Sequence, residues 1–195
     1  GQKNIGRRYM SVIVTIGAPG AGKTTVLERT LEIVKDKYLI INYGDAMFQV
    51  AKDAYVKNRD ELRKLPNSIQ KEIQRTAAEI IYKKGKNSNI IVDTHCTIKT
   101  PSGYLPGLPI WVLDILKPDT FVLIEADSKE IINRRNSDKE RLRDSDDGSS
   151  ILEHQKINRT MVMVYSALTG ATVKIIKNHD NELKSASENF AKILE

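Results

Sequence analysis

The chain reads as an α/β protein: a doubly wound, mostly parallel sheet of five strands with helices on both faces. Short β-branched apolar runs alternate with amphipathic segments about five times along its 195 residues. That alternation is the pattern of repeated strand–helix units. The first run opens directly onto a glycine-rich loop, and ligands of such folds gather at the carboxyl ends of the strands.

Ser11 to Ile16 (SVIVTI) has no polar face, as expected of a central parallel strand covered on both sides. Tyr38 to Asn42, Asn89 to Val92, Phe121 to Ile124 and Ala171 to Ile176 read the same way. Between them run apolar stripes at three- and four-residue steps, the period of one helix face. They comprise Val26, Thr30, Leu31 and Val34; then Ile69, Ile73, Ala77, Ile80 and Ile81; then Ile157, Met161, Val164, Tyr165 and Leu168; and last Leu183, Ala186, Phe190 and Ile193. The stripe with Met161, Met163 and Tyr165 fits either core or a subunit interface, with core the preferred expectation. Asp127 followed by Glu130 predicts a helix start, an acidic variant of the capping box.

The length suits one domain, since single cores hold about 100–200 residues. Apolar residues are 40% of the chain and charged ones 29%, enough for a sizeable core under a solvated surface. No apolar run approaches the ~18 residues of a membrane span. Residues 1–9 form a polar, basic extension without the apolar segment of a secretory signal, and stand outside the expected fold. Cys96 is the only cysteine, which excludes an intramolecular disulfide and a cysteine-rich zinc site. A cytoplasmic protein is expected. The net charge of +6 suits a polyanionic partner. With aromatics at 6% and no RNA-binding aromatic motif, small phosphorylated ligands explain it at least as well as nucleic acid.

Gly17, Gly22, Lys23 and Thr24 fit the spacing G-x-x-x-x-G-K-[ST], a P-loop, between a buried strand and an amphipathic helix. Gly17, Gly20 and Gly22 lack a Cβ, so the backbone can press its N–H groups against phosphate oxygens. The following helix adds the positive end of its dipole. Lys23 can reach the β- and γ-phosphates, and the Thr24 hydroxyl can hold Mg²⁺. Ile90 to Asp93 is an apolar strand ending in a carboxylate, so Asp93 is the second candidate for the metal. A GTPase would place D-x-x-G here and N-K-x-D later. Asp93 is followed by Thr94-His95-Cys96, and N-K-x-D is absent. The fold class is therefore a P-loop NTPase fold and the GTPase reading is weak; the loop alone does not separate a kinase from a motor ATPase.

Arg134 to Gly148 is rich in arginine and nearly free of apolar residues. It reads as a short lid, about residues 136–149, that would close over a transferring phosphoryl group, neutralise its charge and exclude water. Arg141 and Arg143, two apart, would point the same way in an extended segment. The interleaved Asp138, Glu140 and Asp144 also suit a salt-bridged surface loop. A second basic cluster, Arg59, Arg63 and Lys64, lies in an insertion of about residues 43–86, where a second substrate would approach the sheet. His95 and Cys96 are assigned to packing or hydrogen bonding.

Five blocks in order along the chain carry a resemblance: GAPGAGKTT (Gly17 to Thr25), INYGD (Ile41 to Asp45), RDELRKL (Arg59 to Leu65), DTH (Asp93 to His95) and TPSGYLPGLP (Thr100 to Pro109). Together they resemble archaeal-type adenylate kinase. The resemblance implies reversible transfer between MgATP and AMP to give two ADP, by a cytoplasmic enzyme that is often a homotrimer. On it, Gly17, Ala18, Pro19, Gly20, Ala21, Gly22, Lys23, Thr24 and Thr25 would bind the ATP phosphates. Arg134, Arg141 and Arg143 would join Lys23 in clamping the transferring phosphoryl. Asp45, Arg59, Arg63 and Lys99 would serve AMP, and Thr24 with Asp93 would hold Mg²⁺. Lys99 stands where the resemblance leads one to expect an arginine; a lysine keeps the charge and loses the bidentate fork. A kinase for UMP, CMP or a metabolite, and a nucleotide-regulated RNA-associated ATPase, are the alternative readings of the residues.

Overall fold

A computed structural model describes residues 11–53, 56–137 and 148–195. Seven strands occur among them: β1 (Val12–Gly17), β2 (Tyr38–Asn42), β3 (Asn89–Asp93), β4 (Thr97–Thr100), β5 (Gly103–Pro106), β6 (Thr120–Glu125) and β7 (Thr172–Lys177). The helices are α1 (Lys23–Ile33), α2 (Tyr43–Lys52), α3 (Arg59–Lys64), α4 (Asn67–Gly85), α5 (Ile110–Leu116), α6 (Ser128–Ser137), α7 (Gly148–Thr169) and α8 (Leu183–Leu194).

Five strands pair in the order β2-β3-β1-β6-β7, all parallel. β1 lies at the centre, with β3 on one side and β6 on the other. The connections leaving the neighbours β1 and β3 therefore run to opposite sides of the sheet, which opens a crevice at their carboxyl ends, where the glycine-rich loop begins. One face buries Val14, Ile16, Val92, Phe121 and Leu123 under α4, α5 and α7. The other buries Ile13, Ile91, Val122 and Ile124 under α1 and α8. Covering on both faces explains the unbroken apolar runs of β1, β3 and β6. A third cluster, Ala51, Val56 and Ile73 with Phe48 and Leu62, gives the α2–α3–α4 region a small core of its own.

Three expectations are corrected. β2 and β7 are the sheet's edges, so Leu39, Ile40 and Ile175 are exposed, where both runs were expected to be covered on each side. On α4 the buried stripe is Ile73, Ala77, Ala78 and Ile81; it is turned toward Ala78, and Ile69 and Ile80 fall at its margin, exposed. On α7 the buried positions are Ile151, His154, Gln155, Asn158, Val162 and Tyr165, which leaves Val164, Leu168 and Met163 outside. Half of that stripe is polar and satisfied by hydrogen bonds, so apolar periodicity could not have located it.

The residues after β3 fold into a β4–β5 antiparallel hairpin that the strand–helix alternation did not suggest. Its seat on α7 is polar: the Thr97 hydroxyl lies 2.5 Å from Asn158 Oδ1 and 3.0 Å from His154 Nε2. The Tyr165 hydroxyl donates to the Cys96 carbonyl and accepts from the Leu108 N–H. Gly107 closes the hairpin, its N–H bonded to the Cys96 carbonyl. A Cβ there would stand 1.8 Å from the His95 carbonyl oxygen, so only glycine fits.

The expected start of α6 is present: Glu130 Oε2 accepts from the Asp127 N–H at 2.9 Å. Glu130 also accepts from the Asp180 N–H and pairs with His179, which ties α6 to the segment after β7.

Two stability predictions follow from these contacts. The Thr15 hydroxyl on β1 is fully buried and has no hydrogen-bond partner among the described residues. An unmade buried hydrogen bond costs about 1–3 kcal/mol. Thr15→Val should therefore raise Tm by ~2–4 °C in calorimetry for a chain of this size. A fall would reveal a partner for the hydroxyl. For Glu130, burial opposes ionisation, but the Asp180 and Asp127 N–H groups and His179 outweigh it and hold the pKa at about 2, below the ordinary 4.5. The stability this carboxylate contributes is complete above pH 4.5 and is lost as pH falls toward 2. Glu130→Gln should flatten the acid limb of the stability profile in that window; an unchanged limb would contradict it.

Candidate active site

A cavity of about 790 Å³ opens at the carboxyl ends of β1, β2 and β3. Its walls come from four regions: the loop after β1 with the start of α1, the start of α2 with Arg59, the β3–β4 connection with Ile98 and Gly107, and Arg134 with Arg135 of α6.

The loop follows from its glycines. Gly20 and Gly22 have φ of +89° and +87°, left-handed backbone that favours glycine. At Gly17 a Cβ would meet the Ile124 carbonyl oxygen at 2.5 Å. Among the described residues no side chain caps the start of α1, so its first N–H groups face no side-chain acceptor there and suit an anion. Lys23 donates to the Thr94 carbonyl at 2.6 Å, and its ammonium lies 3.0 Å from Asp93 Oδ1. The lysine thus rests on the end of β3, within the same cavity as the loop.

The outward carbonyls of the loop are held by side chains from later in the chain. Arg135 donates to the Pro19 carbonyl through Nε at 3.0 Å and Nη2 at 2.6 Å. Arg134 Nη1 reaches the Gly20 and Ala21 carbonyls at 3.4 and 3.3 Å. Its Nη2 donates to the Asn178 carbonyl at 2.7 Å and to Asp180 at 2.9 Å. Asn178 Nδ2 donates to the Ala21 carbonyl at 3.0 Å. Arg134, expected over the phosphoryl group, lines the cavity while its guanidinium grips the loop. Arg135 and Asn178 carried no sequence signal: one was a second arginine in a basic run, the other a lone amide after a strand.

On the far wall, Asn42, Tyr43, Gly44, Met47 and Arg59 face the cavity. Asn42 caps α2 by accepting from the Asp45 N–H at 2.9 Å. The buried Tyr43 hydroxyl donates to the Gln74 carbonyl at 2.9 Å, and burial raises its pKa. Arg59 forms an ion pair with Asp45. The structure therefore joins these two expected residues, although only Arg59 belongs to the cavity wall. Arg63 is exposed on α3, and its charge is felt at His95. Lys99 is not part of the cavity wall and donates to the Ser150 hydroxyl at the start of α7. Arg141 and Arg143 lie outside the described residues.

His95 belongs to the cavity wall rather than to packing alone. The residue is exposed toward the cavity, where the nearby protein still displaces part of its water. This desolvation first, and the Lys23 charge second, lower its pKa to about 4, so the imidazole is neutral at pH 7. Cys96 is buried, its thiol directed at the Asn158 carbonyl; burial raises its pKa to about 12 and keeps it protonated. Asp93 Oδ1 is buried, and the Lys23 ammonium at 3.0 Å is the partner it has among the described residues. A carboxylate whose buried oxygen is held by a cation, sharing a cavity with the Thr24 hydroxyl, is an all-oxygen donor set that fits a hard divalent cation such as Mg²⁺.

Residues 16–152 match the AAA domain family AAA_17. The chain is similar to three archaeal adenylate kinases. It is 54% identical to that of Methanothermobacter thermautotrophicus, over 95% of this chain and 100% of that one. It is 58% identical to that of Methanopyrus kandleri, over 92% and 95% of the two chains. It is 49% identical to that of Methanocaldococcus jannaschii, over 94% and 97%. Among solved structures it resembles shikimate kinases in fold. The enzyme from Acinetobacter baumannii gives a TM-score of 0.52 at 14% identity, covering 95% of this chain and 93% of that one. The enzyme from Bacteroides thetaiotaomicron gives 0.56 at 11% identity, covering 95% and 98%. No described helix is long and apolar enough to cross a membrane. A phosphate loop and a second, arginine-bearing wall around one cavity agree with this kinship: the chain belongs to the adenylate kinase family, in its archaeal form, and is a nucleoside monophosphate kinase.

Proposed function

We propose that the chain catalyses ATP + AMP = 2 ADP, with the donor on the glycine-rich loop and AMP on the α2–α3 wall. The observation that carries this reading is the single cavity with the phosphate loop on one side and Asn42, Tyr43 and Arg59 on the other. Two phosphorylated substrates entering from opposite walls would meet at its centre. An AMP phosphate oxygen attacks the γ-phosphorus as the bond to the β–γ bridging oxygen breaks, leaving ADP on each side.

Phosphoryl transfer asks for alignment and charge neutralisation rather than a protein nucleophile. The loop N–H groups and the start of α1 cradle the donor phosphates. Lys23 exchanges Asp93 and the Thr94 carbonyl for phosphate oxygens, which leaves the Asp93 carboxylate free to serve the metal. Thr24 and Asp93 would hold Mg²⁺, which supplies charge neutralisation at the phosphates. Arg59 orients the acceptor, with Arg63 adding positive field. His95, neutral at pH 7, can hydrogen-bond a phosphate without adding charge. Arg134 holds the loop, and Arg141 and Arg143 are assigned to the phosphoryl clamp. The same reading extends to a homotrimer in the cytoplasm, and sedimentation of the purified enzyme measures the assembly.

A panel of nucleoside monophosphates with MgATP tests the acceptor: AMP should give two ADP per turnover, and UMP and CMP far less. Preference for a pyrimidine acceptor would overturn it. Lys23→Met should lower kcat by roughly 10²–10³-fold, the scale for losing one donor to developing charge. The circular dichroism spectrum should stay unchanged. Near-wild-type turnover would remove Lys23 from the mechanism.

A further inference from the structure

We propose that Asn178, in the segment between β7 and α8, is a positioning residue that aims the Gly22 N–H at the donor phosphates. The inference rests on the reading above, in which the glycine-rich loop takes ATP.

The argument begins with the peptide plane. In a trans peptide the C=O and the following N–H point in opposite directions. A loop that presents N–H groups inward must turn its carbonyls outward, and buried outward carbonyls need donors. The Ala21 carbonyl has two: Asn178 Nδ2 at 3.0 Å and Arg134 Nη1 at 3.3 Å. Fixing that oxygen fixes the Ala21–Gly22 plane, and with it the direction of the Gly22 N–H into the cavity. The preceding peptide behaves differently, because the Ala21 N–H is committed to the Ala18 carbonyl at 3.1 Å. Holding the Ala21–Gly22 plane therefore bears directly on phosphate binding.

Asn178 is the better placed of the two donors. It is 6% exposed, whereas the Arg134 side chain is 25% exposed and shared among four acceptors. Its own backbone is held at both ends. Its N–H donates to the Glu125 carbonyl at 2.7 Å, and its carbonyl accepts from Arg134 at 2.7 Å. The amide fits against Gly22 so closely that a Cβ there would stand 2.4 Å from Asn178 Nδ2. The glycine thus admits both the left-handed turn and the amide. A carbonyl can only accept, so the amide must present its NH₂ to Ala21. An aspartate in its place would set a carboxylate against that oxygen and push the plane away.

Calorimetric titration with MgATP, and separately with AMP, tests the assignment on the wild type, Asn178→Ala and Asn178→Asp. The Kd for MgATP should rise several-fold in Asn178→Ala and more than tenfold in Asn178→Asp, while the Kd for AMP stays within twofold. A purely structural role would lower Tm and either spare both affinities or weaken both equally; each result would overturn the proposal. If neither variant folds, the Asn178 side-chain NH₂ resonances of the wild type decide. They should exchange slowly, shift on adding MgATP and stay still on adding AMP; fast exchange or no response to MgATP would overturn it. Failure of the acceptor assignment shows separately, as the wrong preference in the monophosphate panel, and leaves the MgATP titration readable.

Discussion

The site depends on how β1 is seated. Parallel pairing sets Thr15 beside Asp93 on β3 and beside Val122 on β6, and Gly17 beside Ile124. That register brings the phosphate loop, the carboxylate and the end of β6 to one level. A slip by one residue would turn every apolar side chain of β1 to the opposite face and carry the loop off the edge. The close approach of Gly17 to the Ile124 carbonyl adds to the constraint, since no side chain fits between the strands there.

From that level the remaining parts are built on polar contacts that cross long stretches of chain. Glu125, at the end of β6, is buried and held by Arg159, whose Nε lies 2.9 Å from both carboxylate oxygens, with Lys177 at 3.7 Å. A buried carboxylate is tolerated only with such partners. Its backbone carbonyl in turn anchors Asn178, which grips the phosphate loop. The hairpin after β3 is secured by His154, Asn158 and Tyr165 of α7 in the same manner. The donor wall and the hairpin therefore rest on one long helix through separate sets of hydrogen bonds.

This explains why the sequence located α7 but misplaced its buried face. Apolar periodicity sees a buried face only when its residues are apolar, and His154, Gln155 and Asn158 are buried because each has partners elsewhere in the fold. Gln155 alone both donates to the Ala126 carbonyl and accepts from its N–H. Conversely Val164 and Leu168 looked buried by type, but they lie on the outer side of the helix. The hairpin was hidden for a related reason: its strands are four residues long and largely exposed, so they carry no apolar run.

What the sequence determined by itself is the chemistry encoded over short distances. A strand, three glycines, a lysine and a threonine at fixed spacing specify a phosphate cradle, because backbone conformation and helix polarity are local properties. The carboxylate ending β3 was legible for the same reason, as were the five strands and the helix start at Asp127. Only the tertiary structure decided which strands are edges, which wall faces the loop, and where Arg134 and Lys99 point. It also introduced Arg135, Asn42, Gly107 and Asn178. Those assignments depend on hydrogen bonds between residues from three to more than a hundred and fifty positions apart. No periodicity records such contacts; they exist once the parallel register of β1 has brought their partners together.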